Sequence, residues 1–347
     1  VRAQTQQLDN LEQEEDQPSC SGPTVNTTFF SPLPGSGKWF GSVLAGTGKI
    51  YGVPFTSPTV VVLDPTTNTF DITTMTGLGS SGGKWSGGVL AGNGKIYGIP
   101  YNSPWVLIID PATNTFGTTS ITDLIGTSKW SGGVLAGNGK IYGIPFSASA
   151  VLVIDPTTNT ADITTIAGLT NNFFKWFGGV LATNGKIYGI PADANSVLII
   201  DPVTNTSDTT SITGLMAGGL KWAGGVLVAN SKIYCTPRSA TSVLIIDPAT
   251  NTADMTTMAG LGAGPNKWMD TVLAPDRKIY GIPYDGSAVL VIDPATNTTD
   301  TNTLPVPSGA QKWSSGVLAS NGVIYGLPYD TDSVLVVSCL CGVRNGL

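Results

Sequence analysis

The dipeptide Lys-Trp recurs seven times, at Lys38-Trp39, Lys84-Trp85, Lys129-Trp130, Lys175-Trp176, Lys221-Trp222, Lys267-Trp268 and Lys312-Trp313. The intervals are 46, 45, 46, 46, 46 and 45 residues. Each unit reads KWxGGVLAxNGKIYGIPYxxxSVLIIDPxTNTxDxTTxxGL with few departures. A period of this length means one supersecondary unit copied along the chain, each copy burying its apolar face against its neighbours.

Every unit divides into four short strands. GGVLA is followed by an Asn-Gly turn signal (Asn93-Gly94, Asn138-Gly139, Asn184-Gly185) and then KIYGI; such a turn needs positive φ and marks a hairpin. SVLIID supplies a β-branched third strand. Asp-Pro-x-Thr-Asn-Thr turns the chain into a Thr-rich fourth, with Pro presetting φ and Asn tolerating the left-handed position. No useful stretch carries a helical apolar period. Seven such units predict an all-β, seven-bladed β-propeller with four-stranded blades.

The seventh unit stops after Ser333–Val337 and lacks a fourth strand. The segment Pro23–Pro34 matches Pro294–Pro305 in turn and strand. The N-terminus is therefore expected to close the ring as the outer strand of the last blade, at about residues 26–31. This sets residues 23–347 as the propeller and leaves 1–22 as an acidic, Gln-rich arm. With Val1 in first place, a processed N-terminus and a fragment both stay open.

Composition narrows the function classes. The net charge is −6, of which the arm contributes −4 (Arg2 against Asp9, Glu12, Glu14, Glu15 and Asp16), leaving −2 for the ring. No basic stripe offers itself to nucleic acid, and no apolar run is long enough to span a bilayer. The chain contains no His, and its only Glu residues are those three in the arm. A Ser-His-Asp triad and a His-Cys metal site are therefore excluded. Asp330 and Asp332 are better read as a solvated turn than as a paired-carboxylate or calcium site. The expectation is a protein that is not an enzyme, with no cofactor and no metal.

The stretch NGKIYGIPYNSPWVLIIDPATNT resembles the YVTN-type repeat of surface-layer propellers and is similar to kelch and NHL-type repeats. It departs from kelch where a Gly-Gly pair should follow the second strand. The resemblance covers residues 23–347 and implies a propeller and a surface or envelope association. A lyase of the related propeller type would need a His base, which this chain lacks.

Comparison among the units isolates two sets of side chains. Lys opens the second strand in units one to six (Lys49, Lys95, Lys140, Lys186, Lys232, Lys278), and Asp ends the third (Asp64, Asp110, Asp155, Asp201, Asp247, Asp293). In unit seven both change together, to Val323 and Ser338, as a Lys–Asp pair within each blade predicts. The second set is the Lys-Trp ring with the Pro-aromatic loops Phe55, Tyr101, Phe146, Tyr284 and Tyr329, all expected at one end of the propeller; units four and five carry Ala192 and Arg238 instead. Two readings stand: the Trp residues wedge between blades as core, or they join the lysines and loop aromatics in a ligand face able to hold a sugar ring.

Cys20 lies just before the closing strand and Cys339 and Cys341 just after the strand it pairs with, so a disulfide from Cys20 to one of them would lock the ring. Cys235 replaces a strand glycine and is expected buried and unpaired. Glycosylation sequons start at Asn26, Asn205 and Asn297. Val1, Leu8 and Leu11 could dock the arm on a neighbouring copy. The expected function is a non-enzymatic extracellular structural or assembly protein of a cell-surface coat or filament. The alternative is a carbohydrate-binding, lectin-like propeller. Partners would be further copies, other surface proteins or glycans.

Overall fold

The computed structural model describes residues 22–338 except 29 and 31. They form seven four-stranded antiparallel sheets arranged as a β-propeller. The third blade is representative: Trp130–Leu135 lies innermost, followed by Ile141–Pro145, Leu152–Asp155 and the outer Thr160–Asp162. The second strand is buried along its whole length in every blade but the last, where only Val323 is partly exposed. A strand covered on both faces by adjacent blades is what the unbroken Ile-Tyr-Gly-Ile run encodes. Its Tyr bonds the next blade: Tyr51 Oη donates to Asn114 Oδ1 at 2.7 Å and Tyr97 Oη to Asn159 Oδ1 at 2.9 Å.

The ring closes on the blade that the sequence indicates, but three residues earlier in register. Thr24–Asn26 pairs antiparallel with Leu335–Ser338, placing Thr24 opposite Ser338, where the match to Pro294–Pro305 puts Thr27. The reason is local chemistry. Asn26 Oδ1 accepts the amide of Thr28 at 2.8 Å and its hydroxyl at 3.0 Å. Asp254 takes the amide and hydroxyl of Thr256 in the same way, at 2.7 and 2.8 Å, where a complete fourth strand ends. Asn26 thus replaces the strand-ending Asp of the repeat and not its turn Asn. Phe30 and Leu33 then fall into the core beside Trp39 and Leu327. Residues Val1, Leu8, Leu11, Cys20, Cys339 and Cys341 lie outside the described residues, so the arm and disulfide expectations lie there too.

The Lys–Asp pairing occurs in five blades: Lys49–Asp64, Lys95–Asp110, Lys140–Asp155, Lys186–Asp201 and Lys232–Asp247 approach to 3.3–3.9 Å. The carboxylate also serves its own turn. Asp64 Oδ1 accepts the Thr66 amide at 2.9 Å while Oδ2 faces the lysine. Among the described residues the sixth pair does not form. Lys278 instead contributes to Asp300, whose carboxyl is held low first by the Thr303 hydroxyl and the Asn302 amide. Each exposed pair is worth about 0–1 kcal/mol, so these charges trim the blades without holding them together.

Leu33 is fully buried at the joint between first and last blades, and its amide donates to Asp332 O at 2.7 Å. Leu33→Ala is expected to cost about 2–4 kcal/mol, read as a lowered urea midpoint with an unchanged slope.

Candidate functional site

The Lys-Trp dipeptide belongs to the core, the first of the two readings that its sequence left open, and not to a ligand face. The indoles of Trp39, Trp85, Trp130, Trp176, Trp222, Trp268 and Trp313 are at most 4% exposed. Each donates its ring N–H at 2.8–2.9 Å to the carbonyl twenty residues on, at Thr59, Trp105, Ala150, Ser196, Ser242, Ala288 or Ser333. Lys38, Lys84, Lys129, Lys175, Lys221 and Lys312 are buried and Lys267 is half-buried. Their ammonium groups donate to loop carbonyls: Lys129 Nζ reaches Tyr101 O, Ser103 O and Gly126 O at 2.9–3.0 Å. Burial pushes Lys84, Lys129 and Lys175 down to about 8, so they still carry charge at neutral pH. Lys84 and Lys129 each spend their ammonium on three carbonyls, and Lys221 and Lys312 on one each, so burial and these bonds make the lysines part of the blade packing.

The loop aromatics do form a surface. The second strand of each blade ends in Pro, and the next residue turns inward at the end where the inner strands begin. Phe55, Tyr101, Phe146, Tyr284 and Tyr329 converge there on a cavity of about 240 Å³. Neighbouring rings pack in tilted pairs, with centroids 5.5–5.9 Å apart for Phe55–Tyr101, Tyr101–Phe146, Phe55–Tyr329 and Tyr284–Tyr329. Two residues that the sequence reading did not single out close the floor. Phe40 and Phe177 follow the Trp of blades one and four, where the other blades have Ser, Ala or Met. Their rings meet at 5.7 Å. The signal was present as two aromatics at a position otherwise small or flexible.

Blades four and five break the aromatic ring. Ala192 and Arg238 occupy the two aromatic positions. Arg238 lies over Phe177 with its Cζ 5.7 Å from the ring centroid, a cation–π contact. Its Nε donates to Asn266 Oδ1 at 2.8 Å. Phe174, also on this wall, stacks on Phe146 at 4.8 Å.

Beneath the floor is a second chamber of about 100 Å³ on the propeller axis, mostly apolar in lining but with Ser131, Asp270 and Ser315 among its walls. Gly41, Gly87, Gly132, Gly178 and Gly224 pass it with φ between 68° and 109°, a conformation that glycine adopts without steric cost. They crowd closely: a Cβ on Gly41 would stand 2.6 Å from Gly87 Cα. Blades six and seven have Asp270 and Ser315 there, without positive φ. Asp270 accepts the Thr271 amide at 2.8 Å and the Gly316 amide at 2.9 Å. Burial nevertheless raises its carboxyl to about 6 against those two bonds. Ser315 Oγ is buried and unpartnered among the described residues.

The remaining sequence candidates fall elsewhere. Asn205 and Asn297 are exposed at the opposite end, at φ 54° and 56° in their turns; Asn26 is half-buried in the closing strand. Asp330 Oδ1 accepts Ser36 Oγ at 2.8 Å and the Gly37 amide at 2.7 Å, tying the last blade to the first. No cluster of His, Cys, Asp and Glu suited to a metal occurs among the described residues. Cys235 is buried and free, its thiol pushed up by desolvation.

No protein-family model matches the sequence, and no curated protein is similar to it by sequence. Solved structures are similar in fold. Virginiamycin B lyase from Staphylococcus aureus superposes with a TM-score of 0.72 at 10% identity, over 92% of this chain and 100% of that one. The extracellular domain of a putative hybrid two-component system from B. thetaiotaomicron gives 0.70 at 9% identity, over 94% of this chain and 44% of that one. Hydrazine synthase from Kuenenia stuttgartiensis gives 0.64 at 15%, over 90% and 97%. The shared feature is the propeller; enzymes and extracellular domains both use it.

The Asp270 carboxyl makes a signed prediction. Its folded pKa lies above the unfolded value, so its contribution is fully present below about pH 4 and is lost as pH rises through about 6. Stability measured by urea unfolding is expected to fall across that window. In Asp270→Asn that slope is expected to vanish, leaving only the titration of other groups.

Proposed function

We propose that this chain is a non-enzymatic recognition propeller of the cell exterior, and that its working surface is the aromatic mouth. One observation carries the reading: the departures from the seven-fold repeat gather around the axis. Phe40, Phe177, Ala192, Arg238 and Met269 all line or adjoin the mouth cavity, whereas at the opposite end the Asp-Pro-x-Thr-Asn-Thr turn is kept in each of the six units that have one. A residue that breaks a repeat costs the uniformity that makes the blades pack alike. Its concentration at one mouth is what selection for binding would leave there. The absence of His from the chain and of Glu from residues 16–347 supports a non-catalytic role. The exterior placement draws support from the repeat's resemblance to surface-layer propellers and from the extracellular domains among its structural neighbours.

A lectin-like site on every blade has less support than one axial site, because the indoles that would have served it are buried. A second reading, as a subunit of a coat or filament, is favoured by exposed apolar side chains on loops at the mouth end: Trp105, Ile125, Phe173 and Met216 are 39%, 87%, 69% and 36% exposed. Lone exposed apolar residues are ordinary, but several on one end are suited to contact with a neighbour.

Neutral aromatic probes test the first reading. Phenol and indole are expected to bind the full chain saturably by ligand-observed NMR, and Phe146→Ser with Tyr101→Ser is expected to weaken both at least tenfold. Unchanged binding in that variant, or no binding to the wild type, would sink the mouth as a recognition site. A glycan array reports the lectin version, and light scattering of the full chain against Ile125→Ser with Phe173→Ser reports the assembly version.

A further inference from the structure

We propose that the aromatic mouth takes a small organic carboxylate bearing a flat ring, with the Arg238 guanidinium as its anion anchor. The inference rests on the reading of the mouth as a recognition site and adds the ligand's chemical class to it.

The argument starts from an incomplete set of partners. Arg238 lines the cavity, partly buried, with Nε committed to Asn266 and its carbon face against Phe177. Among the described residues no acceptor bonds its Nη groups and no carboxylate lies within ion-pair distance. Asp193 and Asp285 act on it only at longer range. Each of them spends an oxygen on a neighbouring loop, Asp193 on the Leu220 amide at 2.6 Å and Asp285 on the Gln311 amide at 2.7 Å. A guanidinium partly withdrawn from water with donors unspent is costly to hold. An incoming carboxylate matches the two Nη donors with parallel bonds, the geometry for which arginine is suited.

The rest of the cavity selects what the carboxylate is attached to. Tyr101, Phe146, Phe177, Tyr284 and Tyr329 present ring faces and edges, and polar groups are few. Tyr284 Oη is already engaged with Gln311 Oε1 at 3.1 Å. Flat apolar groups pack on such walls by offset or edge-on stacking. A neutral sugar would lack fixed partners for most of its hydroxyls, and a cation would meet the guanidinium head on. The volume, about 240 Å³, is below the roughly 300–1,000 Å³ of sites that hold drug-sized molecules, which limits the ligand to one or two fused rings. Ala192 matters here. A sixth ring at that slot, next to Arg238, would fill the wall beside the guanidinium.

Calorimetry with the full chain tests the assignment, using 2-naphthoate against 2-naphthamide, which keeps the ring and removes the charge. The acid is expected to bind one per chain and the amide at least tenfold more weakly. Arg238→Met is expected to lose at least tenfold for the acid and little for the amide. Arg238→Tyr, which places there an aromatic such as five blades carry, serves as the second variant and is expected to behave likewise with unfolding midpoint retained. Equal binding of acid and amide, or an acid affinity untouched by both variants, would overturn the anion anchor while leaving the mouth as a recognition site for neutral rings. Failure of the acid to bind would also overturn it, and the phenol and indole titrations then report separately on the mouth itself.

Discussion

The propeller depends on a belt of hydrogen bonds at the mouth end. The amide of each Lys-Trp lysine donates to the carbonyl of the residue after the second-strand Pro in the preceding blade. The acceptors, from Phe55 to Tyr329, lie 2.7–3.1 Å away, and Lys38 to Tyr329 completes the circle. The lysine carbonyl turns back to its own blade and accepts the amides of the following loop, as Lys129 O does from Phe146 and Ala148. The ammonium and indole then satisfy loop carbonyls that would otherwise be buried without donors. One dipeptide thus supplies the contact to the previous blade, the shape of its own loop and the wedge between sheets. Its invariance follows from geometry.

That belt also explains how the aromatic mouth is addressed. The residue whose carbonyl enters the belt is the same residue whose side chain points to the axis. Backbone position is fixed by the fold, while side-chain identity is free. Phe, Tyr, Ala and Arg all occupy the slot without disturbing the hydrogen bond, as Ala192 and Arg238 show at 3.1 and 2.7 Å. A surface can therefore vary there residue by residue on a scaffold that does not move.

Much of this was legible in the sequence. Blade number, strand order, the buried KIYGI strand and the closing blade all followed from period, turn chemistry and the missing fourth strand. The register of closure did not, because two local similarities compete in Pro23–Pro34. The turn-like Pro and Asn match the repeat at one offset and the Asn26-Thr-Thr strand end matches at another. Only the side-chain acceptor at Asn26 and the burial of Phe30 and Leu33 decide between them. The Lys-Trp ring was ambiguous for a similar reason: a large aromatic beside a cation suits a ligand face as well as a blade wedge, and sequence spacing reports neither the solvent nor the carbonyls. The loop aromatics of the mouth stood out in the sequence as one set at one end, but Phe40 and Phe177 did not, and the meaning of Ala192 and Arg238 needed the axis on which they converge.

The glycine column on the axis shows the constraint from the other side. In blades one to five the inner strand bulges at the residues following Trp, so that Trp130 faces Pro145 while pairing resumes only at Gly133 with Gly143. The positive-φ glycine in that bulge lets neighbouring chains converge: at Gly41, Gly87 and Gly132 a Cβ would stand 2.6, 2.8 and 2.9 Å from the next glycine's Cα. Blades six and seven also shift register after the Trp, but pairing resumes one residue earlier: Asp270 pairs with Ile282 and Ser315 with Leu327. With Asp270 and Ser315 paired and outside the positive-φ region, glycine is not needed there and a side chain is admitted to the axis. The consequence is a desolvated carboxyl at a position where blades one to five present only glycine to the chamber. Two neighbouring blades with a changed strand course therefore distinguish one side of the axis. The blade-five strand Ile233–Pro237, which ends just before Arg238, packs against the inner strand of blade six, so the broken symmetry of the chamber and the cation at the mouth belong to the same sector of the ring.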